Sequence, residues 1–397
     1  MKKYKIFICA GEHSGDFLGS ELIKAISKEI GDGGSIIFQG IGGNLMEQEG
    51  LVPIFDLSRL SVMGLKDIFT SIVSIFSILN RTVSYIIAWK PDVVITIDAP
   101  EFNLRLSSKI RKKWKTAKII HYVVPSVWAW REGRTKEIKK NLDHMLALLP
   151  FEPDFLKRHG ISCDFVGHPI CSDSLPTTRD VISFKKSLEF KSSAKIVTVL
   201  PGSRIGEVKR MLPIFFKVMK LLKKEFPNIE FVCPTPKVVV PVFNFLKGKY
   251  KVKITHIDSS LLTSQDFEVM KKSLYACSDM AIATSGTVSL ELARGGVPMI
   301  ICYKTGFFTT LLYKLFIKVK SANLINIITN RQDVPEFLFE RCTPLNIFKE
   351  SKKILTDKSY AEKQLMASRE AIRSLGYGSL HPATRAAKSV LNHLKIN

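Results

Sequence analysis

The stretch that decides the fold is YKIFICAGEHSGDFLGSELIKAI, residues 4–26. It begins with the apolar run Tyr4–Ile8, passes through a turn that holds Gly11 and Gly15, and continues in a helical pattern. A buried strand that leads through a glycine turn into a helix is the first half of a βαβ unit. The stretch therefore predicts a parallel sheet, with its first loop at the edge where such sheets bind ligands.

The same alternation of apolar runs and amphipathic helical patterns continues to the end of the chain and predicts two parallel sheets in succession. The predicted strands of the first sheet are Tyr4–Ile8, Ser35–Gly40, Val93–Asp98, Lys118–Val123, Met145–Leu149 and Cys163–Val166. Those of the second sheet are Lys195–Leu200, Ile229–Cys233, Lys253–Ile257, Met280–Ala283 and Pro298–Cys302.

Between the two sets of strands, residues 167–190 are rich in Pro, Ser and Thr and are the best candidate for a linker. We therefore expect an α/β protein with two doubly wound, Rossmann-like domains that face each other across a cleft. The first covers 1–170 and the second 190–375. A last helix, 382–397, could pack back on the first domain.

Composition limits the function. The 397 residues carry a formal net charge of +23, which favours a negative partner: nucleic acid, phosphorylated metabolites or an anionic membrane. The 7 cysteines are scattered without a CxxC pair, which argues against a zinc knuckle or a disulfide framework and indicates a reduced cytosolic compartment. No apolar run reaches the roughly 18 residues of a membrane span, so we expect a soluble or peripheral protein.

Two loops in the second half are candidates for binding phosphate and nucleotide. In LPGSR, residues 200–204, a turn at Ser203 brings Arg204 to the start of a helix, where a guanidinium and backbone N–H groups can bind diphosphate. The alternative is an ordinary turn with a solvated arginine.

The second loop is SGTVSLE, residues 285–291, where Ser285, Gly286 and Thr287 precede a predicted helix Val288–Arg294. Small hydroxyl residues at a helix start suit phosphate, and the carboxylate of Glu291 one turn later can accept hydrogen bonds from a ribose. The alternative is a helix capped by Ser285 or Thr287.

In the first half, Asp98 ends an apolar strand and is well placed for a general base. The glycine turn carries Glu12, Ser14 and Asp16, which suit a hydroxyl-rich ligand. Capping of the next helix is the alternative for Asp98, Ser14 and Asp16.

After the strand that ends at Val123, Trp128 and Arg131 suit recognition of a sugar or an acyl chain, although packing is the commoner task of tryptophan.

Two apolar segments bear on membranes. Residues 67–90 carry Phe69, Ile72 and Phe76, and residues 306–320 carry Phe307 and Phe308 among lysines. Both are either core helices or interfacial helices that dock on an anionic lipid surface.

Nine segments together resemble a known family. In chain order they are GEHSGD, LSVMGL, IDAPEFN, HYVVPSVWAWR, LPFEPDF, FVGHP, LPGSR, SGTVSLE and ANLINIITNR. This set is similar to the lipid A disaccharide synthases, glycosyltransferases of the GT-B fold. The resemblance implies transfer of 2,3-diacylglucosamine from UDP-2,3-diacylglucosamine to 2,3-diacylglucosamine 1-phosphate, also called lipid X.

The resemblance also implies roles for residues. It assigns the catalytic base to Asp98, a diphosphate ligand to Arg204, and nucleotide binding to Thr287, Glu291 and Asn326. It places the GEHSGD loop on the acceptor side. It implies no metal or other cofactor, in keeping with the lack of any Asp-x-Asp motif, and an inverting displacement at the cytoplasmic face of the inner membrane.

Two rival functions remain at this point. A UDP-sugar epimerase of the same build would share Arg204 and Glu291 but would need no acyl-binding surface. A nucleic-acid-binding protein would explain the charge, but the basic residues are dispersed and no common binding motif is present, so we expect no nucleic acid. The sequence leaves a homo-oligomer open.

Overall fold

The computed structural model describes residues 3–31, 35–55, 68–305 and 321–394, with all of their side chains except those of 68–74. The chain divides into two compact units. The first comprises 1–172 together with 375–397, and the second comprises 173–374.

The first unit contains a seven-stranded parallel sheet with the order β3-β2-β1-β4-β5-β6-β7. Its strands are β1 Lys3–Ala10, β2 Ser35–Ile41, β3 Leu51–Pro53, β4 Val93–Ile97, β5 Ile119–Tyr122, β6 His144–Ala147 and β7 Cys163–Phe165. Its helices are α1 His13–Ile30, α2 Asn44–Gln48, α3 Ile68–Trp89, α4 Pro100–Lys113, α5 Thr135–Asn141, α6 Glu152–Arg158 and, at the end of the chain, α15 Pro382–Leu394.

Helices cover both faces of this sheet. Because successive side chains of a strand point to opposite faces, each strand contributes to two apolar cores. Along β1, Ile6 and Ile8 belong to one apolar core, whereas Phe7 and Cys9 belong to the other. Strands buried on both sides read as continuous apolar runs, which is why β1 and β4 could be recognised from sequence.

The C-terminal helix α15 packs against α1 in the first unit. Its residues Ala386 and Val390 are fully buried in the same core as Leu22 and Ile26 of α1. The helix therefore completes one face of the first sheet.

The second unit contains a six-stranded parallel sheet with the order β10-β9-β8-β11-β12-β13. Its strands are β8 Lys195–Leu200, β9 Ile229–Thr235, β10 Thr255–Asp258, β11 Met280–Thr284, β12 Met299–Tyr303 and β13 Glu336–Leu338. Its helices are α7 Thr178–Ser187, α8 Ile205–Glu225, α9 Val240–Tyr250, α10 Ser264–Cys277, α11 Val288–Arg294, α12 Leu324–Thr329, α13 Pro344–Thr356 and α14 Lys358–Ser374.

The structure confirms the predicted fold class of two parallel α/β sheets, and each predicted strand occurs with its ends within two residues of the prediction. The prediction missed β3 and β13, strands of 3 residues each at sheet edges. Part of the predicted linker is also helical: α7 begins at a capping box in which Thr177 and Asp180 exchange hydrogen bonds. A Thr-x-x-Asp pattern of this kind is a helix-start signal.

No helix within the described ranges is both long enough and apolar enough to cross a bilayer.

Candidate active site

A cavity of about 560 Å³ lies at the carboxyl ends of β8 and β11 in the second unit. This volume falls in the range of small-molecule sites, about 300–1,000 Å³. Six of the seven residues predicted to bind nucleotide line it: Ser203, Arg204, Ser285, Gly286, Thr287 and Glu291. The two strands are hydrogen-bonded neighbours, so the loops that follow them meet at one edge of the sheet.

The LPGSR loop makes a tight turn on one side of this cavity. Gly202 has φ +115°, and a Cβ at this position would lie 2.6 Å from Cβ of Glu207, so glycine is required by both conformation and space. The Glu207 carboxylate accepts hydrogen bonds from backbone N–H of Ser203 and Arg204, at 3.2 and 3.4 Å. The Arg204 side chain is 83% exposed and lies 3.6 Å from Glu207, so its guanidinium projects to the solvent at the cavity.

The carboxylate of Glu291 is held by two residues of α10. Its Oε2 lies 3.2 Å from Nζ of Lys271 and accepts a hydrogen bond of 3.4 Å from the Tyr275 hydroxyl. Burial alone would lower the pKa of Lys271, but the carboxylates of Glu291 and Glu268 outweigh it and raise that pKa. Lys271 is therefore a cation beside Glu291, and both contacts are made to Oε2 of Glu291.

Lys271 and Tyr275 were not predicted from the sequence, although both line the cavity. They lie four residues apart on one helix face, which is the only local signal they carry. The capping alternative for the opposite loop does not hold, since Thr287 occupies the N-cap position of α11 but makes no side-chain capping hydrogen bond. The Ser285 hydroxyl donates instead to the carbonyl of Ala322, at 2.7 Å.

Asn326, predicted to bind nucleotide, does not line the cavity. It is buried, and its amide nitrogen donates to the Val334 carbonyl and to Oε1 of Glu336, both at 2.8 Å. Its amide oxygen accepts a hydrogen bond from Val334 N–H at 3.0 Å. In this structure Asn326 connects α12 to the edge strand β13.

In the first unit, the predicted base Asp98 lies directly after β4 and is partly exposed. Its Oδ2 accepts a hydrogen bond of 3.4 Å from the Ser14 hydroxyl, so the glycine turn and the end of β4 meet. Asp98 and Ala99 both have left-handed backbones, with φ +51° and +43°. Asp98 is not a helix cap, because the N-cap position of α4 is Ala99 and makes no side-chain capping bond.

The other predicted residues of the glycine turn differ in exposure. Glu12 and Ser14 are exposed, whereas Asp16 is only 4% exposed. Asp16 accepts hydrogen bonds from backbone N–H groups at the start of α2: Gly43 at 2.8 Å, Leu45 at 3.2 Å and Met46 at 3.1 Å. Neither Ser14 nor Asp16 caps α1. Asp16 instead anchors α2.

Trp128 donates from Nε1 to the buried carboxylate of Glu152 at 3.1 Å, and burial raises the pKa of Glu152 to about 7. Arg131 is exposed, stacks on the Trp130 ring with 4.1 Å to its centroid, and lies 3.5 Å from Glu101. Trp128 therefore fixes the loop after β5, while Trp130 and Arg131 present its outer surface. Trp130 was not among the predicted site residues, although it is 40% exposed.

Of the residues predicted to contact membrane or acyl chains, only Phe76 is described with its side chain, which is 45% exposed. Leu79, Val83 and Ile86, which follow Phe76 on the same side of α3, are buried in the core. The side chains of Phe69 and Ile72, and the whole of Phe307 and Phe308, lie outside the described residues. Among described side chains, no group of three or more His, Cys, Asp or Glu residues is arranged to hold a metal ion.

Solved structures with a similar fold include sugar-nucleotide epimerases and a glycosyltransferase. A putative UDP-N-acetylglucosamine 2-epimerase from Listeria monocytogenes has a TM-score of 0.66 at 13% identity, with 100% of this chain and 98% of that chain covered. The glycotransferase of kitacinnamycin has a TM-score of 0.59 at 13% identity, with 98% of each chain covered. At these identities the likeness concerns the fold alone, which is that of the GT-B glycosyltransferases and related epimerases.

Sequence comparison then identifies the family to which the chain belongs within this fold class. The lipid-A-disaccharide synthetase family model matches residues 6–390. Lipid-A-disaccharide synthase of Rhodospirillum centenum is 37% identical over 393 residues, covering 99% of this chain and 95% of the relative. That of Rickettsia bellii is 36% identical, covering 97% and 98%. The chain belongs to the lipid-A-disaccharide synthetase family and is a glycosyltransferase of lipid A biosynthesis.

Proposed function

We propose that the enzyme transfers 2,3-diacylglucosamine from UDP-2,3-diacylglucosamine to lipid X, giving lipid A disaccharide 1-phosphate and UDP with inversion at the anomeric carbon. The observation that carries this proposal is the cavity between the LPGSR and SGTVSLE loops, in a chain that belongs to this family over almost its whole length. This cavity joins two motifs whose sequences separately favour diphosphate and nucleoside binding.

On the donor side, the Arg204 guanidinium would pair with the UDP diphosphate, since its planar fork matches phosphate oxygens and it is mostly exposed at the cavity. Glu291 would accept hydrogen bonds from the ribose hydroxyls. Because Lys271 and Tyr275 occupy Oε2, the oxygen left for the ribose is Oε1. Ser203, Ser285, Gly286 and Thr287 would line the remaining wall, and Asn326 would act by fixing the neighbouring loop.

On the acceptor side, Asp98 would be the catalytic base. Its carboxylate takes the proton of the acceptor hydroxyl as that oxygen forms a bond to the anomeric carbon. The bond between this carbon and the UDP oxygen breaks on the opposite side, and its electron pair leaves with the diphosphate. Glu12, Ser14 and Arg131 would bind the sugar or phosphate of lipid X, with Trp128 and Asp16 holding the loops that carry them.

The proposed reaction needs no metal, because a cationic guanidinium can stabilise the negative charge that develops on the leaving diphosphate. We also propose that the enzyme works at the cytoplasmic face of the inner membrane. There the net charge of +23 would attract anionic lipid, and the exposed Phe76 would contact acyl chains.

The test measures UDP release from UDP-2,3-diacylglucosamine with and without lipid X, in the presence of a chelator. Wild type should release UDP only with the acceptor. Asp98→Ala should lower the rate by about 10²–10⁴-fold, the usual contribution of a general base. Asp98→Asn keeps the size of the side chain but cannot take the proton. It should therefore lower the rate to a similar extent, which separates loss of the base from loss of packing.

The anomeric configuration of the product, read by NMR, tests inversion: an α-linked product from the α-linked donor would refute it. UDP release that ignores lipid X and yields a free sugar would refute the proposed transfer and would direct attention to epimerase chemistry.

A further inference from the structure

The backbone at the proposed base is held in an unusual conformation. Asp98 and Ala99 are consecutive residues with side chains, and both have positive φ. The left-handed region is disfavoured for such residues, because Cβ approaches the neighbouring carbonyl oxygen. Conformations of this kind persist only where the surrounding structure enforces them.

One side chain provides this enforcement. Asn103 is fully buried, and its amide nitrogen donates to the carbonyl oxygens of Ile97 at 3.0 Å and Asp98 at 2.8 Å. The backbone N–H of Asn103 donates to the carbonyl of Ala99 at 3.0 Å. A single residue in the first turns of α4 thus binds three consecutive carbonyls around the base.

The amide oxygen of Asn103 supports the same interpretation. Oδ1 is buried and accepts no hydrogen bond within the described residues. Reversing the amide would direct this oxygen at the carbonyls of Ile97 and Asp98, which are themselves acceptors only. Asparagine at position 103 therefore supplies an amide donor but leaves its own buried oxygen without a hydrogen bond from the described residues. An apolar residue would pack there without this unsatisfied oxygen, so the donor is what the position requires.

We propose that Asn103 is a positioning residue that locks the left-handed turn and so aims the Asp98 carboxylate. The inference rests on the proposed role of Asp98 as base. With an extended backbone, Asp98 would continue the alternating side-chain directions of β4. Its carboxylate would then no longer lie 3.4 Å from the Ser14 hydroxyl. Because Asn103 is fully buried, we expect it to touch neither substrate and to act through Asp98.

The experiment is a double-mutant cycle on the full-length enzyme with both lipid substrates. Asn103→Leu keeps the approximate size and removes the donors. It should lower kcat by about 10²-fold, the scale expected when a catalytic group is displaced by about 1 Å, with little change in KM for the donor. In the Asp98→Ala background, the same substitution should change the residual rate by less than about twofold, because residues that act through one group are not additive.

The matched control is Ser107→Ala, which removes a buried hydrogen bond of 2.9 Å to the Asn103 carbonyl on the same helix and should leave kcat unchanged. If Asn103→Leu keeps the wild-type kcat, or slows Asp98→Ala by the same factor as wild type, Asn103 only supports the fold and the proposal fails. Full activity of Asp98→Ala would instead refute the base itself. If Asn103→Leu does not fold, Asn103→Ala, which removes the same amide donors with a smaller side chain, takes its place in the same cycle.

Discussion

Substitution of Gly11 by alanine probes the contact between the glycine turn and the end of β4. A Cβ at Gly11 would lie 2.3 Å from Cβ of Ala99. Carbon atoms in contact prefer about 3.5–4.0 Å, so one of the two segments would have to move by more than ~1 Å. That movement would disturb the turn that carries Ser14 and the strained pair Asp98–Ala99 together.

The magnitude follows from two opposing effects. Forcing an extra methyl group into a packed site costs about 1–3 kcal/mol. Replacing glycine also stiffens the unfolded chain, which raises the free energy of unfolding by about 0.4–1 kcal/mol. We expect Gly11→Ala to lower the free energy of unfolding of the first unit by about 1–2 kcal/mol.

Ala99→Gly should rescue this loss, because it removes the opposing methyl group. Glycine also adopts the left-handed backbone of residue 99 without strain, which raises the free energy of unfolding by about 1–2 kcal/mol. The greater freedom of glycine in the unfolded chain lowers it by about 0.5–1 kcal/mol. The double variant should therefore unfold close to wild type, with a coupling energy of about 1–2 kcal/mol between the two sites.

Urea unfolding followed by tryptophan fluorescence is the suitable assay. All 4 tryptophans lie at positions 89, 114, 128 and 130, within the first unit, so the signal reports on that unit separately. Gly133→Ala is the control, since Gly133 lies in the same unit and an added Cβ meets nothing within 4 Å. A loss below about 0.5 kcal/mol for Gly11→Ala, or an equal loss in the Ala99→Gly background, would refute the reasoning.

Three further predictions concern other parts of the molecule. Lys271→Met should weaken UDP binding about tenfold by calorimetry, since loss of a charged hydrogen bond to Glu291 costs about 1.5–3 kcal/mol and only part of this affects the ligand; unchanged affinity would contradict it. Phe76→Ser should reduce flotation with anionic vesicles while UDP affinity stays constant, and Phe245→Ser, which alters a side chain 68% exposed on the second unit, is the control that should bind vesicles normally. Burial lowers the pKa of His121 from 6.5 to about 4. Between these values the unfolded state binds the extra proton, so stability falls as pH falls, by up to about 1.4 kcal/mol per pH unit. His121→Asn should remove the His121 part of this slope from the fluorescence-detected unfolding free energy and leave that of His144, whose pKa burial also lowers to about 4; an unaltered slope would contradict the assignment.

The fold could be predicted because strands buried on both faces leave continuous apolar runs between turn residues. The edge strands Leu51–Pro53 and Glu336–Leu338 could not be recognised in this way, because 3 residues are too few to show a period. Their pairing is set by the neighbouring strand rather than by their own sequence.

A residue that lines the cavity could be predicted where a motif directly follows a strand, as at Arg204. It was not predictable where a helix from elsewhere in the chain supplies the partner, as with Lys271 against Glu291. Asn326 is the opposite case, a motif residue that does not line the cavity. Its amide is engaged by Val334 and Glu336, 8 and 10 residues further along, and only the folded chain reveals that contact.

The return of α15 to the first sheet has a consequence for biosynthesis. Residues 173–374 form a continuous insertion, so the ribosome must complete the whole second unit before it makes the helix that covers α1. At about 5–20 residues per second, this interval lasts on the order of 10–40 s. During it, the apolar side chains of Leu22 and Ile26 lack the part of their core that α15 supplies through Ala386 and Val390. We therefore expect the nascent first unit to be a client for chaperones until α15 is made.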